Sequence, residues 1–154
     1  MRSFQQHPPS SDPSAARIKR NSIRNADRES TIALTRSHVG TILFVDDDTA
    51  IVDAHRLFFE ELGYTVHTAN SGEEALQFLE THAVDAVVVD YLMPGMDGEE
   101  TARRTRSSLG YGIPIILFSG SLCLPKCVLE AFDACVEKGL GTGALAEALE
   151  FLLH

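Results

Sequence analysis

The chain has 154 residues, 44% of them hydrophobic, and a net charge of −9. That is enough for one packed domain. The acidic balance argues against direct nucleic-acid binding, and no apolar run reaches the roughly 20 residues that a membrane span needs. Three cysteines, Cys123, Cys127 and Cys135, make an odd number clustered late in the chain. This argues against a secreted disulfide framework and for a reducing, cytoplasmic compartment. Cys123 and Cys127 lie at i,i+4, yet no His or further Cys completes a zinc site, so they read as small apolar helix residues.

Charge divides the chain. Residues 1–38 carry seven basic and three acidic residues, a net +4, which leaves −13 for the rest. This first segment is rich in Ser and Pro and poor in large apolar side chains. It cannot bury enough surface to offset its ordering entropy, and a disordered basic tail is expected there. It has no apolar stretch of the kind a secretory signal requires. The packed domain is expected over 39–154.

From Thr41 onward, short apolar runs alternate with helical patterns. Residues 41–45 (TILFV) form the first expected strand. Residues 49–62 follow as a helix with Ile51, Ala54, His55, Phe58 and Leu62 on one face and Gly63 at its end. Residues 64–68 are a short strand. Ser71 to Glu74 is a capping box that opens a helix to about Thr81. Residues 85–90 (DAVVVD) form a strand apolar on both faces. A helix over 97–108, a strand over 114–118, a short helix over 124–132 and a short strand over 134–137 come next. An amphipathic helix over 142–153 carries Leu145, Leu149, Leu152 and Leu153.

Five β-α units in succession predict right-handed crossovers and a doubly wound α/β fold, a five-stranded parallel sheet with helices on both faces. Ligands of such sheets bind beyond the carboxyl ends of the strands. The sharp polar residues all fall there: Asp46 and Asp47 after the first strand, Asp90 at the end of the third, Ser119 after the fourth and Lys138 after the fifth. Asp48 is expected to cap the first helix and Asp97 the third, with Gly98 allowing a close approach.

The stretches VDDD (45–48), DYLMPGMDG (90–98), FSG (118–120) and EKG (137–139) together resemble the motifs of response regulator receiver domains, the phospho-accepting modules of two-component signalling. The resemblance covers about 41–154. It implies a flavodoxin-like fold with strand order 2-1-3-4-5. It also implies that Asp90 is the phosphoacceptor, with Ser119 and Lys138 contacting the phosphoryl group. Mg2+ would be held by Asp47 and Asp90, by Asp46 chiefly through water, and by the backbone carbonyl of Leu92. The chemistry is coherent, because a carboxylate attacking a phosphoryl group needs a cation among the negative charges. The donor would be a histidine kinase or a phosphotransfer protein, the output a downstream protein partner, and the chain a monomer or weak homodimer. It would not be an enzyme beyond its own phosphorylation and dephosphorylation. With the last helix ending at His154, the expectation is a stand-alone receiver without an output domain.

The sequence departs from the family pattern at three places. Cys135 stands where many receivers carry an aromatic residue, Gly139 follows Lys138 in place of Pro, and the segment between Ser119 and Lys138 is short. Leu92 and Ser121 occupy the positions two residues beyond Asp90 and Ser119, which in the family influence phosphoryl lifetime. Two other readings compete. One is a receiver-like binding module that is not phosphorylated. The other is a haloacid-dehalogenase-type phosphatase using Asp46 and Asp48, which leaves Asp90 and the MPGMDG stretch without a role.

Overall fold

The structure is a computed structural model and describes residues 38–154; the tail expected over 1–38 lies outside the described residues except for His38. The elements run β1 (Gly40–Val45), α1 (Thr49–Glu61), β2 (Tyr64–Ala69), α2 (Gly72–Leu79), β3 (Ala86–Val89), α3 (Gly98–Leu109), β4 (Ile115–Ser119), α4 (Lys126–Leu129), β5 (Ala134–Glu137), a 3-10 turn (Lys138–Leu140) and α5 (Gly141–Leu153). The five strands form one parallel sheet in the order β2-β1-β3-β4-β5. The flavodoxin-like topology is therefore as expected.

Alternation along each strand builds two cores. Leu43, Val45, Val87, Val89, Ile115 and Leu117 face one way, against Ala75, Leu79, Ala102 and the Val128–Phe132 segment. Ile42, Phe44, Val88, Ile116, Phe118 and Val136 face the other, against Val52 and Phe59 of α1 and Leu145 and Leu149 of α5. The central strands β1, β3 and β4 are apolar on both faces because each face is covered by helix.

The buried stripe of α1 differs from the expected one. Val52 and Phe59 are buried, whereas Ala54, Phe58 and Leu62 are exposed and Ile51 and His55 are only half-buried. The helix carries two overlapping apolar stripes one residue apart, a rotation of about 100°. The bulk of Phe59, packed against Phe44 and Tyr64, selects the second.

The expected helix over 124–132 contracts to the single turn α4. Ala131 and Phe132 donate their N–H groups to carbonyls three residues back, Val128 and Leu129, so the chain tightens out of the α-helix. The reason lies just beyond. Asp133 must reach β4, where its N–H donates to the Ile115 carbonyl at 2.8 Å and its carboxylate accepts the Ile115 N–H at 2.6 Å. That carboxylate also pairs with Arg106, from the last turn of α3. Arg106 donates in addition to the Ile113 carbonyl at 2.7 Å, and its side chain is largely buried. Cys123, expected to be helical with Cys127, therefore precedes α4, and both thiols are exposed rather than packed.

Asp133→Ala leaves a largely buried guanidinium without its carboxylate. A loss of about 2–3 kcal/mol is expected, because Asp133 itself is partly solvated. A lowered midpoint in urea denaturation at unchanged m checks it.

Candidate functional site

The site begins with backbone. Beyond β1, the Asp46 N–H donates to the Ala69 carbonyl of β2 at 3.1 Å; beyond β3, the Asp90 N–H donates to the Val45 carbonyl at 2.9 Å. Both acids are thus fixed side by side where the ladder ends. Carboxylate oxygens of Asp46, Asp47 and Asp90 all lie within 4.8 Å of one another, with Asp46 buried, Asp47 exposed and Asp90 between.

Local hydrogen bonds then orient each group. Asp46 Oδ1 accepts the Asp48 N–H at 2.9 Å, and Asp46 Oδ2 accepts Lys138 Nζ at 2.7 Å. Asp90 Oδ1 accepts the Tyr91 N–H at 2.8 Å, while Lys138 Nζ lies 3.4 Å from Asp90 Oδ2. Lys138, expected to contact a phosphoryl group on Asp90, thus sits closer to Asp46 than to Asp90.

Asp48 is spent as a cap, accepting the Ala50 and Ile51 N–H groups at 3.1 and 3.3 Å. This engagement does not suit a general acid beside Asp46. Ser119 closes β4 and is buried, in register with Glu137 one residue before Lys138. The Leu92 side chain is 74% exposed on the loop after Asp90.

Burial pushes the Asp90 carboxyl above the ordinary carboxylate range. Lys138 opposes that rise, and the negative charge of Asp46 adds to it. Burial alone would pull the Lys138 ammonium down, but its hydrogen bond to Asp46 and the two negative charges outweigh it, and its pKa is raised. Three carboxylates against one ammonium leave excess negative charge, and the donor set is all oxygen. That combination suits Mg2+.

The loop after Asp90 is clamped by α3. Asp97 caps that helix, accepting the Glu100 N–H at 2.8 Å, and the Gly98 N–H donates to the Tyr91 carbonyl at 2.9 Å. A Cβ on Gly98 would collide with the Asp90 carbonyl oxygen and come within 2.9 Å of Tyr91 Cα. Both obstacles are backbone and cannot swing aside. Gly98→Ala is expected to cost about 1–3 kcal/mol by overpacking and to displace the Asp90 loop. A thermal melt, with amide chemical shifts of residues 90–93, would show both effects, and an unaltered melt and spectrum would refute them.

The site residues named from sequence, Asp46, Asp47, Asp90, Ser119 and Lys138, fall on one edge of the sheet. Sequence reading missed His55 of α1. It lies between Phe44 and Phe118, with ring centroids 5.8 and 5.1 Å away, beneath the carboxylates. Its only sequence signal was an apolar-face position.

The chain belongs to the response regulator receiver domain family, whose model matches residues 42–150. The response regulator MprA of Mycobacterium ulcerans is 39% identical over 105 residues, 67% of this chain and 40% of that protein. GtcR of Aneurinibacillus migulanus, also a response regulator, is 34% identical over 79 residues, 51% of this chain and 32% of that protein. The chain therefore spans less than half the length of these curated relatives. Among solved structures, the response regulator TrrA of Thermotoga maritima in complex with Mg2+-BeF matches with a TM-score of 0.69 at 32% identity, over 73% of this chain and 97% of that one. A CheY-like receiver domain of Methanospirillum hungatei matches with a TM-score of 0.69 at 31% identity, over 73% and 92% of the two chains. Among the described residues, no helix is long and apolar enough to cross a membrane.

Proposed function

We propose that this receiver accepts a phosphoryl group on Asp90, and that the modified site switches a surface read by a protein partner. The observation that carries the proposal is the cluster itself: three carboxylates within 4.8 Å, with one ammonium at 2.7 and 3.4 Å from two of them.

Asp90 Oδ2 would attack the phosphorus of the donor, with the bond to the leaving atom (an imidazole nitrogen of a phosphohistidine, or the carboxylate oxygen of acetyl phosphate) breaking as the new one forms. Asp90 Oδ1, held by the Tyr91 N–H, fixes the carboxylate plane. Lys138 would transfer part of its contact from Asp46 to a phosphoryl oxygen, and the Ser119 hydroxyl would donate to another. Asp47, Asp90 and the Leu92 carbonyl would hold Mg2+ directly. Asp46, whose two oxygens are already engaged, would act chiefly through water. The ion would supply neutralisation of the charge that develops in transfer. The chain is then the substrate of its own phosphoryl chemistry, not an enzyme for an external one.

The donor would be a histidine kinase or a phosphotransfer protein, the readout a downstream protein, and the compartment the cytoplasm. The folded part over 39–154 would act with a basic tail of separate character over 1–38.

Intact mass after incubation with acetyl phosphate and Mg2+ tests this. One added phosphoryl group, lost in chelator, is the expected result. A folded, Mg2+-binding protein that never gains the adduct and never binds beryllium fluoride would overturn it. That outcome would favour the second reading, a binding module that is not phosphorylated, which the half-buried Cys135 and the one-turn α4 favour because both depart from the usual readout elements.

A further inference from the structure

Resting on that reading of Asp90, we infer that the state of the site is carried to helix α1 by a row of rings, Phe118, His55, Phe44 and Phe59, rather than to β5. His55 and Phe118 are the positioning residues of this path.

The path starts at the ammonium. Lys138 Nζ lies 6.0 Å from the centroid of the Phe118 ring, at the outer reach of a cation–π contact. Phe118 is buried and immediately precedes Ser119, so both candidate phosphoryl contacts adjoin it. On its other side the Phe118 ring meets His55 edge to face, at 5.1 Å and 72°. His55 is tied to its own helix, because its Nδ1–H donates to the Ile51 carbonyl at 2.6 Å. From His55 the row continues to Phe44 at 5.8 Å and from Phe44 to Phe59 at 5.5 Å. It ends at Phe58, 5.2 Å from Phe59 and 37% exposed on the outside of α1.

The opposite route is poorly built. Cys135 of β5 packs against the other core, on the side of Leu117, and its half-buried thiol stands outside the row of rings.

The driving change is already visible in the unmodified site. Lys138 is held more closely by Asp46 than by Asp90. A phosphoryl group on Asp90 brings new anionic oxygens, so the ammonium is drawn from Asp46 toward them. A void of about 10 Å³ lies between the rings and the acids, lined by Phe44, Asp46, His55, Asp90 and Phe118. The gap has room for no more than about one water, so the Phe118 and His55 rings can tilt into it only slightly, and the tilt passes between them through their edge-to-face contact. Because His55 is bonded to the α1 backbone, its shift moves the helix.

The test uses Mg2+ with beryllium fluoride as the probe and amide NMR of the full chain as the readout. Tyr91 reports occupancy of the Asp90 site; Val52, Phe58 and Phe59 report α1. In the unaltered protein both sets are expected to shift. In Phe118→Leu and in His55→Leu, Tyr91 should still shift while the α1 set loses most of its response. His55→Phe, which keeps the ring but not the hydrogen bond, should recover part of it. His55 is only half-buried, so its variants remain informative where Phe118→Leu folds poorly. An α1 response of full size in both Leu variants would overturn the relay. So would an α1 that stays still in the unaltered protein while Tyr91 shifts. A Tyr91 that itself fails to shift removes the phosphoryl reading, and the relay falls with it.

Discussion

Asp90→Asn protein incubated with acetyl phosphate and Mg2+ is expected to show no added phosphoryl mass, where the unaltered chain gains one group. The effect is all or none, because an amide oxygen cannot form the acyl phosphate that a carboxylate forms. The same substitution carries a second expectation of opposite flavour: it should stabilise the metal-free protein. The Asp90 pKa is raised in the fold, mainly by burial and also by Asp46. A carboxyl with a raised folded-state pKa contributes its stability at low pH and loses it as pH rises through that pKa. The ionised form is therefore the costly one, and Asn removes the cost. Thermal melts in chelator should show Asp90→Asn above the unaltered chain at neutral pH, with the gap closing as pH falls into the carboxylate range. A lower melting temperature for Asp90→Asn at neutral pH would show that the ionised Asp90 carries no net cost in the fold. Modification persisting in Asp90→Asn would move the phosphoacceptor elsewhere.

Lys138→Met is the second large effect. Two contacts disappear together, the hydrogen bond to Asp46 and the longer pairing with Asp90. Asp46 is 6% exposed, so it is left as a buried charge with no cation beside it. A charge-assisted hydrogen bond contributes about 1.5–3 kcal/mol, and a loss of about 2–3 kcal/mol in metal-free stability is expected. Phosphoryl transfer from acetyl phosphate should slow by roughly 10- to 100-fold, since about 1.4 kcal/mol of lost transition-state contact is tenfold in rate. Stopped time points of adduct mass measure the rate, and urea melts measure the stability. If Mg2+ fully restores the stability but not the rate, the ammonium acts on the transferring group and not merely as a counter-ion. A rate equal to that of the unaltered chain would remove Lys138 from the reaction.

Much of this arrangement could be read from residue order. The apolar runs at 41–45, 85–90 and 114–118 are strands because nothing else buries four or five consecutive apolar residues on both sides. The polar residues closing them fall on one edge because all strands are parallel. Asp48, Ser71 and Asp97 cap helices as expected, since a cap depends only on neighbours within three residues. What sequence could not specify is what depends on distant partners. The α1 face was misassigned by one residue because both stripes are apolar and only the sheet chooses between them. Arg106 and Asp133 lie far apart in the chain, and no local pattern pairs them, yet their contact is part of what shortens α4. Lys138 faces two carboxylates, and its closer contact with Asp46 depends on where three strand ends meet, which has no sequence signature.

The ladder bonds that seat Asp46 and Asp90 have a consequence for how the chain reaches its native state. Asp46 is positioned by β2 and Asp90 by β1, so the two carboxylates meet only when β3 docks beside β1. The step that completes the centre of the sheet is the same step that assembles the repulsion. Docking β3 beside β1 therefore carries a like-charge cost. Screening salt or a divalent ion lowers that cost, and Lys138, in the turn after β5, offsets it once β4 and β5 are paired.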